Sequence, residues 1–306
     1  MFQPRINKIQ SDIMKYNNQI SVLSLSFLVL LMSACGGGGK KNDMSSEEFE
    51  KAKADLQENV KKVLYEIPSP AEIPFLLQAT GADYNASIVN NINKIDGYAA
   101  MNDKAVLNLG IYSTDIGYLS SYEKTQESLT YMRSCRKLAD NLGLSSSFSP
   151  DLIDEFEKNI ESRDSLANLV NETIAKAEDL LKQDDRGNLA ALLITGSFIE
   201  GLYLSTQIVD TYPDDLPADT KNLILMPLIR MILDQKAPLA DLIAMLKGVD
   251  QNERTKSILA SLEGIYSQFD ALNIDEQIQN NQASLSGETI KEITNQVATL
   301  RNDITS

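Results

Sequence analysis

The sequence predicts an all-α fold: a bundle or array of antiparallel amphipathic helices behind a flexible N-terminal tether. Three observations carry this reading. Apolar residues recur at intervals of three and four over most of the chain beyond residue 45, and no long stretch alternates as a strand would. Aromatics make up 6% of the residues, and Gly and Pro number only 15 and 9 among 306, which favours helices over strands and turns. The breaks between periodic runs are short, and short connections join antiparallel neighbours.

The first element is apolar but does not belong to the bundle. Ile20–Met32 reads ISVLSLSFLVLLM, which is 13 residues; a membrane span needs about 20. Arg5, Lys8 and Lys15 precede it, and Ser33, Ala34 and Cys35 follow. Basic residues, an apolar run and small residues in that order are the layout of a secretory signal. Leu31-Met32-Ser33-Ala34-Cys35 resembles the lipobox of bacterial lipoproteins, with Met32 where that family usually carries Leu. The resemblance implies cleavage before Cys35 and acylation of its thiol, so residues 1–34 are expected to be a signal peptide and 35–44 a lipidated tether. Met14-Lys15 supplies a second candidate start, with MKYNNQ as the basic segment. Gly36 to Gly39 form a leash similar to that of Bacteroidota lipoproteins. Gly36, rather than Asp, follows the Cys, which by the same resemblance implies the outer membrane; the periplasmic and external faces both stay open. Several acyl chains anchor far more firmly than the single chain that binds marginally.

Residues 45–306 are expected to form the helical domain, and the turn near 183–188 divides it into two halves. Ser45 to Glu48 has capping-box form, and Phe49, Ala52, Leu56, Val60, Val63, Leu64 and Ile67 lie on one stripe before Pro68 and Pro70. A short helix starts at Pro74, and a helical turn is expected over Ile88 to Ile95. Apolar helices follow over 102–121 and 122–142, the latter stopped by Gly143. Ser149-Pro150-Asp151 caps one long helix whose seam runs Ile153, Phe156, Ile160, Arg163, Ala167, Val170, Ile174, Ala177, Leu181. Leu189 to Val209 is the most apolar segment of the domain, but Thr195, Glu200 and Gln207 make it a poor membrane span and a better buried helix. A helix over Leu223 to Leu233 should kink near Pro227, and the next opens at Pro238 and closes at Gly248. Asn252 and Ser286 cap the last two.

The charge excludes several functions. With 28 Lys+Arg against 43 Asp+Glu the chain carries −15, so nucleic acid is not an expected partner. There is no His, which removes Ser-His and Cys-His relays and His-ligated metals. Removing residues 1–34 takes away three basic residues and one acid, so the mature body is more acidic still and stands off from anionic lipid. The membrane contact is then expected to be the lipid on Cys35.

Candidate sites are few. Asp115 and Glu200 lie inside apolar helices beside glycines, and a buried carboxylate must be paired, bonded or neutralised. Arg163 and Arg230 are candidate partners for a buried ion pair that fixes register. Tyr112, Tyr118, Tyr122 and Tyr131 suggest core-rim packing or a groove, and Tyr118, Tyr203 and Glu200 are the candidates for a small-molecule or glycan cleft. Gly110, Gly117, Gly196 and Gly201 suit close helix approach. Asp115-Ile116-Gly117-Tyr118-Leu119-Ser120 echoes Glu200-Gly201-Leu202-Tyr203-Leu204-Ser205, which either marks two related halves or means nothing. Cys135 sits on one helical face with Met132, Ala139 and Leu142 and reads as a core residue; with Cys35 acylated it has no disulfide partner. Asp210, Asp214, Asp215 and Asp219 match no calcium loop, and Asp164-Ser165-Leu166 resembles the short O-glycosylation motif of Bacteroidota but falls mid-helix. No catalytic residue, cofactor or metal is expected. The leading expectation is a lipid-anchored, non-enzymatic interaction or accessory module with an envelope protein partner; the alternative is a ligand-binding lipoprotein, and a carboxylate-only hydrolase comes last.

Overall fold

The computed structural model describes residues 81–147, 150–159, 163–183, 186–213, 217–272 and 286–306. Cys35, the tether and the two helices expected before residue 80 lie outside the described residues, as does the Arg163 side chain. The fold is all-α. Among the described residues nine helices pack together: α1 Asn102–Ser121, α2 Thr125–Asn141, α3 Pro150–Lys158, α4 Arg163–Gln183, α5 Gly187–Asp210, α6 Ala218–Asp234, α7 Lys236–Lys247, α8 Glu253–Ala271 and α9 Lys291–Ile304.

Helices α1 and α5 form the centre. Every residue from Ala105 to Leu119 in α1 is buried, and α5 is buried over nearly all of Leu189 to Val209. Both sequences are apolar on all faces, and such a helix is stable only when surrounded. Helix α5 is long and apolar enough to cross a membrane, but 94% of its apolar window is covered by the other helices. The two meet at glycines. A Cβ on Gly110 would stand 2.3 Å from the Leu193 carbonyl oxygen, and one on Gly196 would stand 2.1 Å from that of Leu107. This contact joins a helix before the 183–188 turn to one after it.

Around this pair, α1 with α2 and α7 with α8 run antiparallel. Tyr112 meets Tyr131 while Ser120 meets Ser128, which sets α2 against α1. Lys247 pairs with Glu263 and Lys236 with Asp270, which sets α8 against α7. Arg254 pairs with Asp303 in α9, and α9 also lies against α5, where Lys291 pairs with Asp210.

The ends follow local chemistry. Gly143 adopts φ +71°, and the Leu144 N–H reaches the Ala139 carbonyl at 2.8 Å, the hydrogen bonding of a Schellman cap. The Asn252 side chain accepts the Thr255 N–H at 2.8 Å. Ser286 and Thr289 form a reciprocal capping box on the 3-10 turn Gly287–Ile290 that leads into α9. Pro227 lies inside α6 and Pro238 in the first turn of α7.

Two expectations fail. The long helix with a continuous seam is two helices, α3 and α4. Asn159 turns its side-chain amide back onto the Glu155 carbonyl at 2.8 Å, and such local bonding competes with helix propagation. Helix α3 packs on α2, whereas α4 packs on α1 and α5, which divides the seam between different partners. Second, Ile88 to Asn91 is not helical. It belongs to an irregular segment, hereafter the strap, that runs from Ala82 to Asn91 before a 3-10 turn at Ile92–Lys94 and one helical turn at Ile95–Tyr98.

Candidate functional site

The strap crosses the tyrosine-rich face of α1 and α2, whose hydroxyls are spent on its backbone. Tyr122 donates to the Ala82 carbonyl at 3.0 Å, Tyr131 to that of Asn90 at 2.6 Å, and Tyr112 to that of Asn91 at 3.0 Å. The Tyr118 hydroxyl accepts the Asn85 N–H at 2.9 Å. Irregular backbone carries polar groups that no regular ladder satisfies, and these side chains supply the partners. The rings pack on one another: Tyr112 meets Tyr131 edge-on at 5.5 Å, and Tyr84 of the strap stacks on Tyr118 at 5.8 Å. Burial raises the hydroxyl pKa of all five tyrosines, so they stay neutral.

Beneath the strap, α1, α5 and α9 bring three ionisable side chains together. Arg301 donates from Nε to Glu200 Oε2 and from Nη2 to Glu200 Oε1, each at 3.0 Å, a two-pronged ion pair. Both side chains are buried, Glu200 completely. The guanidinium carbon also lies 4.6 Å from the centre of the Tyr203 ring, and Nη2 reaches the Ile88 carbonyl of the strap at 3.4 Å. Burial alone would lower the Arg301 pKa; the charge and hydrogen bonds of Glu200 outweigh it and raise it, so Arg301 stays protonated.

Asp115 sits beside this pair with no exposed surface. Its Oδ2 accepts the Asn90 N–H at 3.0 Å. Its Oδ1 receives no hydrogen bond, and the Glu200 carboxylate, an acceptor too, neighbours the Asp115 carboxyl. Burial first, and then the Glu200 charge, push the Asp115 carboxyl well above the usual carboxylate range. Asn90 extends the network: its amide donates to Asn108 Oδ1 at 3.1 Å, and its Oδ1 accepts from Tyr98 at 3.2 Å. Tyr98 and Lys94 are also bonded to the Thr305 carbonyl at the end of α9.

The structure brings Asp115, Glu200 and Tyr203 into one cluster and places Tyr118 at its edge under the strap. Of the two echoing segments, the first residues, Asp115 and Glu200, are brought side by side. The expected cation is corrected. Arg230 lies exposed on α6, because Leu225, Leu228, Ile229 and Ile232 are the buried positions of that helix. The partner is Arg301, which the sequence reading missed. Its signal was a second stripe beside the apolar seam of the last helix, where Thr294, Arg301 and Thr305 recur at seven and four and are all buried. Cys135 is fully buried in the core, and burial pushes its thiol up to about 12.

Among the described residues no three Cys, Asp or Glu side chains converge as metal ligands. A small crevice between α5 and α6, lined by Phe198, Gly201, Met231 and Gln235 among others, has room for about one water molecule. No protein-family model, curated protein or solved structure matches the chain.

Proposed function

We propose that the chain is a lipid-anchored protein of the bacterial cell envelope, attached through Cys35 and held at the outer membrane. Its helical body acts there as a non-enzymatic interaction or accessory module for another envelope protein. The observation that carries this is the ordered run of Arg5, Lys8 and Lys15, the apolar Ile20–Met32, Ser33-Ala34 and Cys35. The glycines behind Cys35 let the body move relative to the anchor, and its net acidity favours a protein surface over anionic lipid or nucleic acid. The polar groups that could have lined a cleft support the same reading. The hydroxyl of Tyr118 and the carboxylate of Glu200 bond to the strap and to α9, and the Tyr203 ring covers Arg301.

The experiment has two arms. Mass spectrometry of the protein from membranes should find Cys35 as the acylated N-terminus, and Cys35→Ala should shift the chain from the membrane to the soluble fraction. An unmodified thiol on a soluble product overturns the anchor. Cross-linking in intact cells, then gentle detergent extraction, should recover one envelope protein in fixed ratio to the chain; recovery of the chain alone overturns the accessory role.

A further inference from the structure

The buried cluster holds two carboxyls and one guanidinium, and the guanidinium's hydrogen bonds to carboxylate all go to Glu200. Both prongs of Arg301 go to Glu200, and its face lies on Tyr203. Asp115 therefore has no cation of its own. Its Oδ2 is satisfied by the Asn90 N–H, while its Oδ1 has no donor, and the neighbouring Glu200 carboxylate, itself an acceptor, can offer none. With both carboxyls ionised, the site would carry a net negative charge away from water and hold two acceptors in contact. Uncompensated buried charge is among the most costly features a fold can carry. One proton removes both faults: it makes a donor of Asp115 and brings the cluster to neutrality.

We propose that Asp115 carries a proton on Oδ1 and donates it to Glu200, and that this shared proton is a pH-sensitive latch holding the strap and α9 onto α1 and α5. Coupling to those two elements is direct. Asp115 Oδ2 holds the strap at Asn90, and Glu200 holds α9 through Arg301, which in turn bonds the strap at Ile88. When the proton leaves, like charges meet, and the strap and α9 give way first. The strap has no backbone ladder, and two of its backbone groups, the Asn90 N–H and the Ile88 carbonyl, are held by these side chains.

The other groups facing Asp115 do not compete for this role. They are Tyr112 and Tyr118 on α1, Tyr131 and Cys135 on α2, Tyr203 on α5, Tyr84 on the strap and Tyr98 on the following turn. Burial raises the pKa of each, so all stay neutral while a carboxyl titrates. Glu200 and Arg301 are the charged neighbours, and they are paired with each other.

The sign follows from linkage. The folded carboxyl titrates above its unfolded value of about 3.9. Between that pH and the folded value, opening releases one proton, so each pH unit upward favours opening about tenfold. The stabilisation is complete below about pH 4, is lost as pH rises, and stops changing above the folded value.

The test is hydrogen exchange on the full acylated chain in mild detergent, over a pH series, reading the amides of 85–91 and 291–304. Asp115→Asn supplies a permanent N–H donor toward Glu200 in place of the proton. Protection in the natural chain should fall by about tenfold per pH unit relative to Asp115→Asn over the titration range. An equal pH dependence in the two proteins overturns the latch. The infrared carbonyl band of a protonated buried carboxylic acid supplies a second readout: it should be present in the natural chain and disappear on titration together with the loss of protection. Should Asp115→Asn fail to fold, this band decides alone, and its absence overturns the proposal.

Discussion

Gly196→Ala should destabilise the protein, although Ala is the better helix former. In an open helix interior, replacing Gly by Ala stabilises by about 0.5–1 kcal/mol. Here the new methyl would stand 2.1 Å from the Leu107 carbonyl oxygen, 2.9 Å from its carbonyl carbon and 3.1 Å from its Cα, all of them backbone. No rotamer relieves that clash. Helix α1 must back away from α5 by roughly an ångström, and a gap of that size forfeits a quarter to a half of each dispersion contact along the seam. Overpacking of this kind costs about 1–3 kcal/mol, and the propensity gain offsets only part of it. The net expectation is a loss of about 1–2 kcal/mol, or a Tm lower by roughly 2–8 °C for a domain of this size. Gly264→Ala is the matched control. It lies inside α8, and its methyl would meet the Gln296 side chain at 3.6 Å, an ordinary contact, so it should raise stability. Thermal and urea unfolding followed by circular dichroism read both. If Gly196→Ala raises Tm as Gly264→Ala does, the close crossing of α1 and α5 is wrong.

Two further outcomes follow from the cluster and the core. Arg301→Met leaves Glu200 buried without its cation and should cost about 3–5 kcal/mol, whereas the double variant Glu200→Leu/Arg301→Met should recover much of that loss; a double variant as unstable as the sum of the singles would refute the pairing. Cys135, with its thiol raised to about 12, should resist alkylation in the native protein at pH 8 and react on unfolding in urea; labelling at the same rate with and without urea would contradict its burial.

The fold was legible where one chemistry decided each element. Helix α1 was expected over 102–121 and is found at Asn102–Ser121, because apolar positions recur along it with no proline between. The caps at Gly143, Asn252 and Ser286 were legible because each depends on a few adjacent residues. The break between α3 and α4 was not, because the seam spacing continues through Asn159, and what ends the helix is that residue's bond back onto Glu155 together with a change of packing partner. The strap was hidden for the same reason. Ile88, Val89, Ile92 and Ile95 have helical spacing, but Asn90 finds its partners on residues from 98 to 131, out of reach of any local pattern.

At the candidate site the sequence identified the acids and not the cation, and the asymmetry is physical. Asp115 and Glu200 stand out because a carboxylate within an apolar helix demands a partner, whereas Arg301, though buried, lies near the end of a helix rich in polar residues, where one more cation draws no notice. What the cluster does for the fold is better described as selection than as stabilisation. A buried ion pair contributes little over a well-packed apolar replacement, so the apolar surface of α1, α5 and α9 accounts for most of their attraction. That surface is a poor guide to register, since a helix that is apolar on every face can pack in many rotations. Only one rotation of each helix sets Asp115 against Glu200, Glu200 against both prongs of Arg301, and Asn90 against Asp115. Any other leaves a buried charge without its partner, at a cost of several kcal/mol. The same three groups that exclude wrong packings also make the chosen one depend on a single proton.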